Sequence, residues 1–95
     1  GYVSKKSTPL CDALALESIS LVAAWLPRAL RAPGDLQARG AMLHAAMLSG
    51  MVIAHTGTTL VHGMGYYYTL HCGVAHGLAN ALLLAPAVRR NEQLL

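Results

Sequence analysis

Phenylalanine is missing from this 95-residue sequence, tryptophan occurs once, and aromatics amount to 5%. A surface that stacks nucleobases needs aromatic rings interleaved with basic side chains, and nothing of that kind is present. Charge is scarce as well. Charged residues make up 12%, roughly half the usual share. The net charge of +3 comes from seven scattered basic residues against four acidic ones, with Arg28 and Arg31 closing one expected helix and Arg89 and Arg90 near the end of another. The pattern excludes a nucleic-acid stripe. Two cysteines, Cys11 and Cys72, have no framework spacing, so reduced thiols in a cytoplasmic protein are expected. No leader sequence stands at this start, and no internal repeat, low-complexity tract or phosphate-binding glycine loop occurs anywhere. The strongest apolar run, from Ala41 to Ala54, falls short of the roughly 20 residues a membrane span needs and contains His44, so no membrane role is expected.

What the chain does have is aliphatic surface. Its hydrophobic share is 55%, carried by Ala, Leu, Val and Met, which are residues of helix cores or of faces that a partner covers. A lone domain of this size buries only around 60 to 70% of the surface its unfolded chain exposes. A freely soluble monomer would therefore present unusually apolar surface. The sequence reads as an all-α piece of something larger.

Along the chain, residues 1–7 look like the tail of a preceding segment. Thr8, Pro9 and Asp12 then supply an N-cap, a first-turn proline and a first-turn acid. The helix they open has one apolar face through Leu16, Ile19, Ala23, Leu26 and Leu30 and another through Leu10, Leu14, Leu21 and Trp25. Pro27 is expected to kink or restart it before Ala32-Pro33-Gly34 ends it. Asp35 caps a second helix over about 36–55, the central one, whose stripes Ala41/Ala45/Ser49 and Ala46/Gly50/Ala54 allow close helix approach. A break at Gly57 to Thr59 precedes a short helix carrying Leu60, Val61 and His62, and a last helix is expected over about 74–85, stopped by Pro86. With the kink, the count is about five helices.

Chemistry concentrates between Val61 and Pro86. His62 and His76 are fourteen positions apart, and on one straight helix their Cα atoms would lie about 21 Å from each other. They can share an ion only if the chain turns back between Gly63 and Gly73, with Tyr66, Tyr67 and Tyr68 as a connecting wall. A metal would then need each imidazole nitrogen within about 2.0 to 2.1 Å. His76 falls in the first turn of the last helix, where the dipole disfavours imidazolium and a ligand must be neutral. Histidines on apolar helices are more often packed than functional, and His44 and His55 receive no role. Asn80, one turn after His76, is either a donor that orients the ligand or a helix-packing amide.

The segments Gly57-Thr58-Thr59-Leu60-Val61-His62-Gly63 and Ala75-His76-Gly77-Leu78-Ala79-Asn80-Ala81-Leu82-Leu83-Leu84-Ala85-Pro86 resemble two segments of the iron-containing (group III) alcohol dehydrogenases, which hold a metal ligand in each. The stretch from Tyr2 to Leu30 is similar to that family's Y-V-S-x-x-A-T-P-x-x-D-A-L-A helix, so the resemblance runs to about Arg90. It implies a helical bundle, part of the dehydroquinate-synthase-like helical domain over residues 1–95, with the nucleotide-binding domain outside this chain. It also implies His62 and His76 as ligands of Fe(II) or Zn(II), the other two ligands being an Asp and a His spaced D-x-x-x-H on a helix ending just before Gly1. From their place beside the two histidines, Tyr66 and His71 are candidate substrate-pocket residues, although a tyrosine triplet is at least as often plain packing. Many members carry a second histidine four residues after the first ligand, where this sequence has Tyr66.

The implied activity is an NAD(P)-dependent alcohol dehydrogenase interconverting alcohols with aldehydes or ketones, the metal polarising the substrate oxygen. Its partners are the small substrate, the nucleotide-binding domain of the same parent and, as an open option, further copies of itself. Two other readings stand beside it. One is a non-catalytic helical interaction module with packed histidines; the other is a zinc-dependent lyase of the dehydroquinate-synthase kind.

Overall fold

The computed structural model describes residues 2–94. Among them there are four helices and no strand: α1 (Pro9–Arg31), α2 (Leu36–Thr56), α3 (Leu60–Cys72) and α4 (His76–Leu94). The all-α expectation holds with one helix fewer. Pro27 lies inside α1, and Pro86 lies inside α4, so neither proline ends its helix. A proline removes one N–H and crowds the preceding turn, but helices of 23 and 19 residues have enough further hydrogen bonds on both sides to carry the defect. The chain forms two compact units, Gly1–Gly57 and Thr58–Leu95.

The first unit is the α1–α2 hairpin. Thr8 caps α1 by accepting from Cys11 N–H at 3.3 Å, and the Ser7 hydroxyl donates to the Asp12 carboxylate. Asp35 caps α2 by accepting from the N–H groups of Gln37 and Ala38 at 3.0 and 3.2 Å, and Arg28 donates to the same carboxylate from the end of α1. The Ala38 N–H bond, with Arg28 beside it, holds the Asp35 carboxyl below the usual carboxylate range. The Ser4 hydroxyl donates to Thr56 O at 3.0 Å, which ties the start of the chain to the end of α2.

Small residues decide how closely these helices approach. Cys11 and Ser18 on α1 and Ala38, Ala45, Leu48, Val52 and Thr56 on α2 are the buried positions, and their spacings of three, four and seven make a narrow seam. At its middle the Ser18 hydroxyl donates to Ala45 O at 2.8 Å. Of the two apolar faces expected on α1, the one through Leu10, Leu14, Leu21 and Trp25 is half-buried except at Leu10, which is exposed, while Leu16, Ile19, Ala23, Leu26 and Leu30 of the other are exposed. Among the described residues α1 is the helix long and apolar enough to cross a bilayer by length and composition, rather than α2.

The second unit is α3, a short link and α4. Its buried residues are small, Gly65, Ala79 and Ala87, so its two helices touch nearly backbone to backbone. That close contact positions the two histidines.

Candidate metal centre

His62 sits in the first turn of α3, after Thr59 as N-cap, and His76 is the first residue of α4. The chain does turn back between them, but later than the glycines suggested. Gly63 and Gly65 are helical, and α3 runs on through all three tyrosines to Cys72. Gly73 makes the turn with a left-handed backbone (φ 67, ψ 18), and Val74 N–H returns to Tyr68 O at 3.3 Å. The tyrosines are therefore one helix surface, and the link is only the three residues 73–75.

The outcome is a cluster of rings. His62 and His76 have ring centroids 5.4 Å apart. Tyr66 stacks on His76 at 5.6 Å with 15° between the planes and meets His62 edge-on at 6.2 Å. An imidazole bound through nitrogen at about 2.0 to 2.1 Å has its ring centre roughly 3.2 Å from the ion, so two rings at a near-tetrahedral angle have centres roughly 5.2 Å apart. The observed separation fits a shared divalent ion. Partial burial, and after it the charge of the neighbouring His76, lower the pKa of His62 from its ordinary 6.5, which favours the neutral form a metal requires. Among the described residues no three His, Cys, Asp or Glu side chains come together. Two imidazoles are fewer donors than the three or more protein ligands that a metal centre normally has.

Asn80 is next to the pair: its amide nitrogen is 3.2 Å from His76 Nε2. Its Oδ1 is buried without a partner. Tyr67 packs on Tyr68 at 5.5 Å and on His71 at 4.7 Å, so His71 is grouped with Tyr67 while Tyr66 is grouped with the histidine pair. His44 and His55 are exposed rather than packed, and His55 Nδ1 is bonded to Met51 O at 2.9 Å. An open apolar groove of about 410 Å³ lined by Leu60, Met64, Leu83, Pro86, Ala87 and Arg90 lies elsewhere on the same unit. Sequence reasoning overlooked Gly65. It read that glycine as part of a turn, whereas it is the buried point where α3 meets Asn80.

The family model for the C-terminal part of the Fe-containing alcohol dehydrogenase family matches residues 1–94. The chain belongs to the iron-containing alcohol dehydrogenase family. It is 37% identical over 90 residues to 1,3-propanediol dehydrogenase of Klebsiella pneumoniae, covering 95% of this chain and 23% of that protein. The NAD-dependent methanol dehydrogenase of Bacillus methanolicus is 32% identical over 81 residues, 85% of this chain and 21% of that protein. Among solved structures, the iron-containing alcohol dehydrogenase of Thermotoga maritima superposes with a TM-score of 0.81 at 47% identity, over 87% of this chain and 23% of that one. The chain thus spans about a quarter of the length of the relatives it matches.

Proposed function

We infer that the chain is the metal-binding part of the helical domain of an NAD(P)-dependent alcohol dehydrogenase acting on small alcohols and the corresponding aldehydes or ketones. The observation that carries this reading is the convergence of His62 and His76, 5.4 Å between ring centroids, in a chain of that family. The two imidazoles are the nitrogen donors for an iron or zinc ion, and donors from elsewhere in the parent complete the set. When bound, such an ion supplies Lewis acidity toward an alcohol or carbonyl oxygen. His62 and His76 hold neutral nitrogen donors on one side of the site, Tyr66 walls that side with its ring, and His71 borders the substrate region from beyond Tyr67. The nucleotide is held by the remaining three quarters of the parent, where the hydride acceptor must be placed.

Several features agree with a part of a larger assembly. Leu16, Ile19, Leu30, Leu43, Leu70, Leu78 and Leu82 are all about half exposed or more, which suits faces covered by the rest of the parent or by a second copy. Both cysteines are free, in keeping with a reducing, cytoplasmic setting. The test uses the full-length gene product, stripped of metal with chelator and reloaded with Fe(II) or Zn(II). NAD(P)H formation from short alcohols should return with metal, and His76→Ala should lose both metal and turnover with nucleotide affinity unchanged. A His76→Ala enzyme that keeps its metal content and its rate would sink the assignment.

A further inference from the structure

The contact between α3 and α4 places three side-chain facts on one spot. Asn80 is one turn beyond His76 on α4, and its amide nitrogen lies 3.2 Å from His76 Nε2. The other half of that amide is buried and has no hydrogen-bond partner. It rests over Gly65 of α3: a Cβ built there would overlap Asn80 Oδ1 and stand 3.3 Å from Asn80 Cγ. Other helical glycines, Gly40, Gly50, Gly63 and Gly77, have open space at the same place. Gly65 is therefore a glycine because an amide occupies the room of its side chain.

A carboxamide N–H can only donate, so the ring nitrogen it faces must offer a lone pair. With Asn80 donating to Nε2, the neutral ring of His76 carries its proton on Nδ1. We propose that Asn80 is a positioning residue that fixes the ring and tautomer of His76, and that Gly65 exists to seat it. The consequence for the site is selective. Nε2 is left unprotonated, as a metal donor must be, and its lone pair accepts the Asn80 N–H until an ion displaces that N–H. The buried, partnerless Oδ1 is the cost of holding the amide in that orientation.

This inference deepens the metal reading above and rests on it only for its consequence, since tautomer and packing are measurable without metal. The full-length protein, metal-free and labelled with ¹⁵N-histidine, gives the tautomer of His76 from its two ring nitrogens, the resonance being assigned by its loss in His76→Ala. The wild type should show Nδ1 protonated and Nε2 bare. Asn80→Ala should move the equilibrium several-fold toward the Nε2–H form, and Asn80→Asp, whose carboxylate only accepts, should move it further. Gly65→Ala should produce the same shift with Asn80 intact, because the methyl group evicts the amide, and should lower the melting temperature. The double variant Gly65→Ala/Asn80→Ala should melt higher than Gly65→Ala alone, since the new methyl then enters the space the amide has left. An unchanged tautomer in Asn80→Ala, or additive losses in the double variant, would overturn the proposal. Metal content of His76→Ala, read by elemental analysis, separates the two ideas: metal retained with the tautomer shifts observed refutes the metal reading and leaves Asn80 as the residue that sets His76.

Discussion

Ala45→Leu is a sharp test of the α1–α2 seam. Ala45 is 1% exposed, and its carbonyl receives the Ser18 hydroxyl across the interface at 2.8 Å. Leucine adds three carbons at a point where the helices are held together by an atom-to-atom contact. If the helices cannot part, the side chain is driven off its rotamer, at about 1–3 kcal/mol. If they part, the Ser18 bond breaks, a loss of about 1 kcal/mol. The Ala45 carbonyl stays bonded within α2, so no orphaned acceptor adds to the penalty. The expected loss is then about 1–3 kcal/mol, whichever route is taken. Burying the new carbons offsets little of this, because area counts only where there is room for it.

The two routes are separable with Ser18→Ala. Alone, it should cost about 0.5–1.5 kcal/mol. Combined with Ala45→Leu, it should cost about 1 kcal/mol less than the sum if the helices part, because the bond is already gone. Local stability is best read by amide hydrogen exchange over residues 9–31 and 36–56 in the full-length protein, since a multidomain chain need not unfold in one step. A loss of about 1–3 kcal/mol is roughly a 5- to 150-fold faster exchange in these helices. Unchanged exchange in Ala45→Leu would refute the close seam.

The remaining predictions concern single residues. Cys72 is exposed and Cys11 is 3% exposed, so a thiol reagent should modify Cys72 in the native protein and reach Cys11 only on unfolding; equal rates would contradict the buried Cys11. Gly73→Ala places a side chain at φ 67 and should destabilise by about 1–2 kcal/mol, measured by thermal melting, whereas Gly63→Ala, helical and unobstructed, should be neutral or slightly stabilising. His62, whose pKa is lowered first by burial and then by the charge of His76, should titrate below 6.5 in metal-free protein by NMR, and His76→Gln should raise its midpoint only in part. The sign for stability follows: the unfolded chain takes up the proton first, so stability is full above about 6.5 and falls as pH drops through the folded value. A His62 midpoint at or above 6.5 would contradict the burial.

Local chemistry explains which of these features the sequence could reveal. Thr8, Pro9 and Asp35 act within one turn of themselves, and each was readable and is where it was expected. The glycines were not, because the residue type states only that φ is free to change. Gly73 uses that freedom, while Gly65 uses the missing Cβ, and the difference depends on an asparagine fifteen positions away on another helix. The prolines misled for the opposite reason. Pro27 and Pro86 each carry a local cost that helices of this length absorb, so Pro86 does not end α4 and Pro27 does not restart α1. On α1, two apolar faces were legible, but which of them α2 would cover was set by Cys11 and Ser18, whose small size permits approach without adding hydrophobicity. The pairing of His62 with His76 was expected. The stacking of Tyr66 on His76 depended on α3 continuing past Gly65, which sequence alone did not show.

The second unit joins a precise ring arrangement to very little buried side-chain volume, since Gly65, Ala79 and Ala87 are its buried residues. Few apolar contacts mean that local opening of α3 from α4 is inexpensive. A ligand shared by His62 and His76 binds the closed pair and not the opened one, so loading stabilises the unit by mass action, about 2.7 kcal/mol at a hundredfold excess over the dissociation constant. The same linkage runs in reverse. On the proposed metal reading, any change that loosens the Gly65 crossing would lower metal affinity without touching an imidazole, because part of the binding energy must first close the helices. If the proposed metal reading holds, that coupling leaves the centre dependent on a glycine and an amide, where a bulky core would hold the rings together with or without an ion.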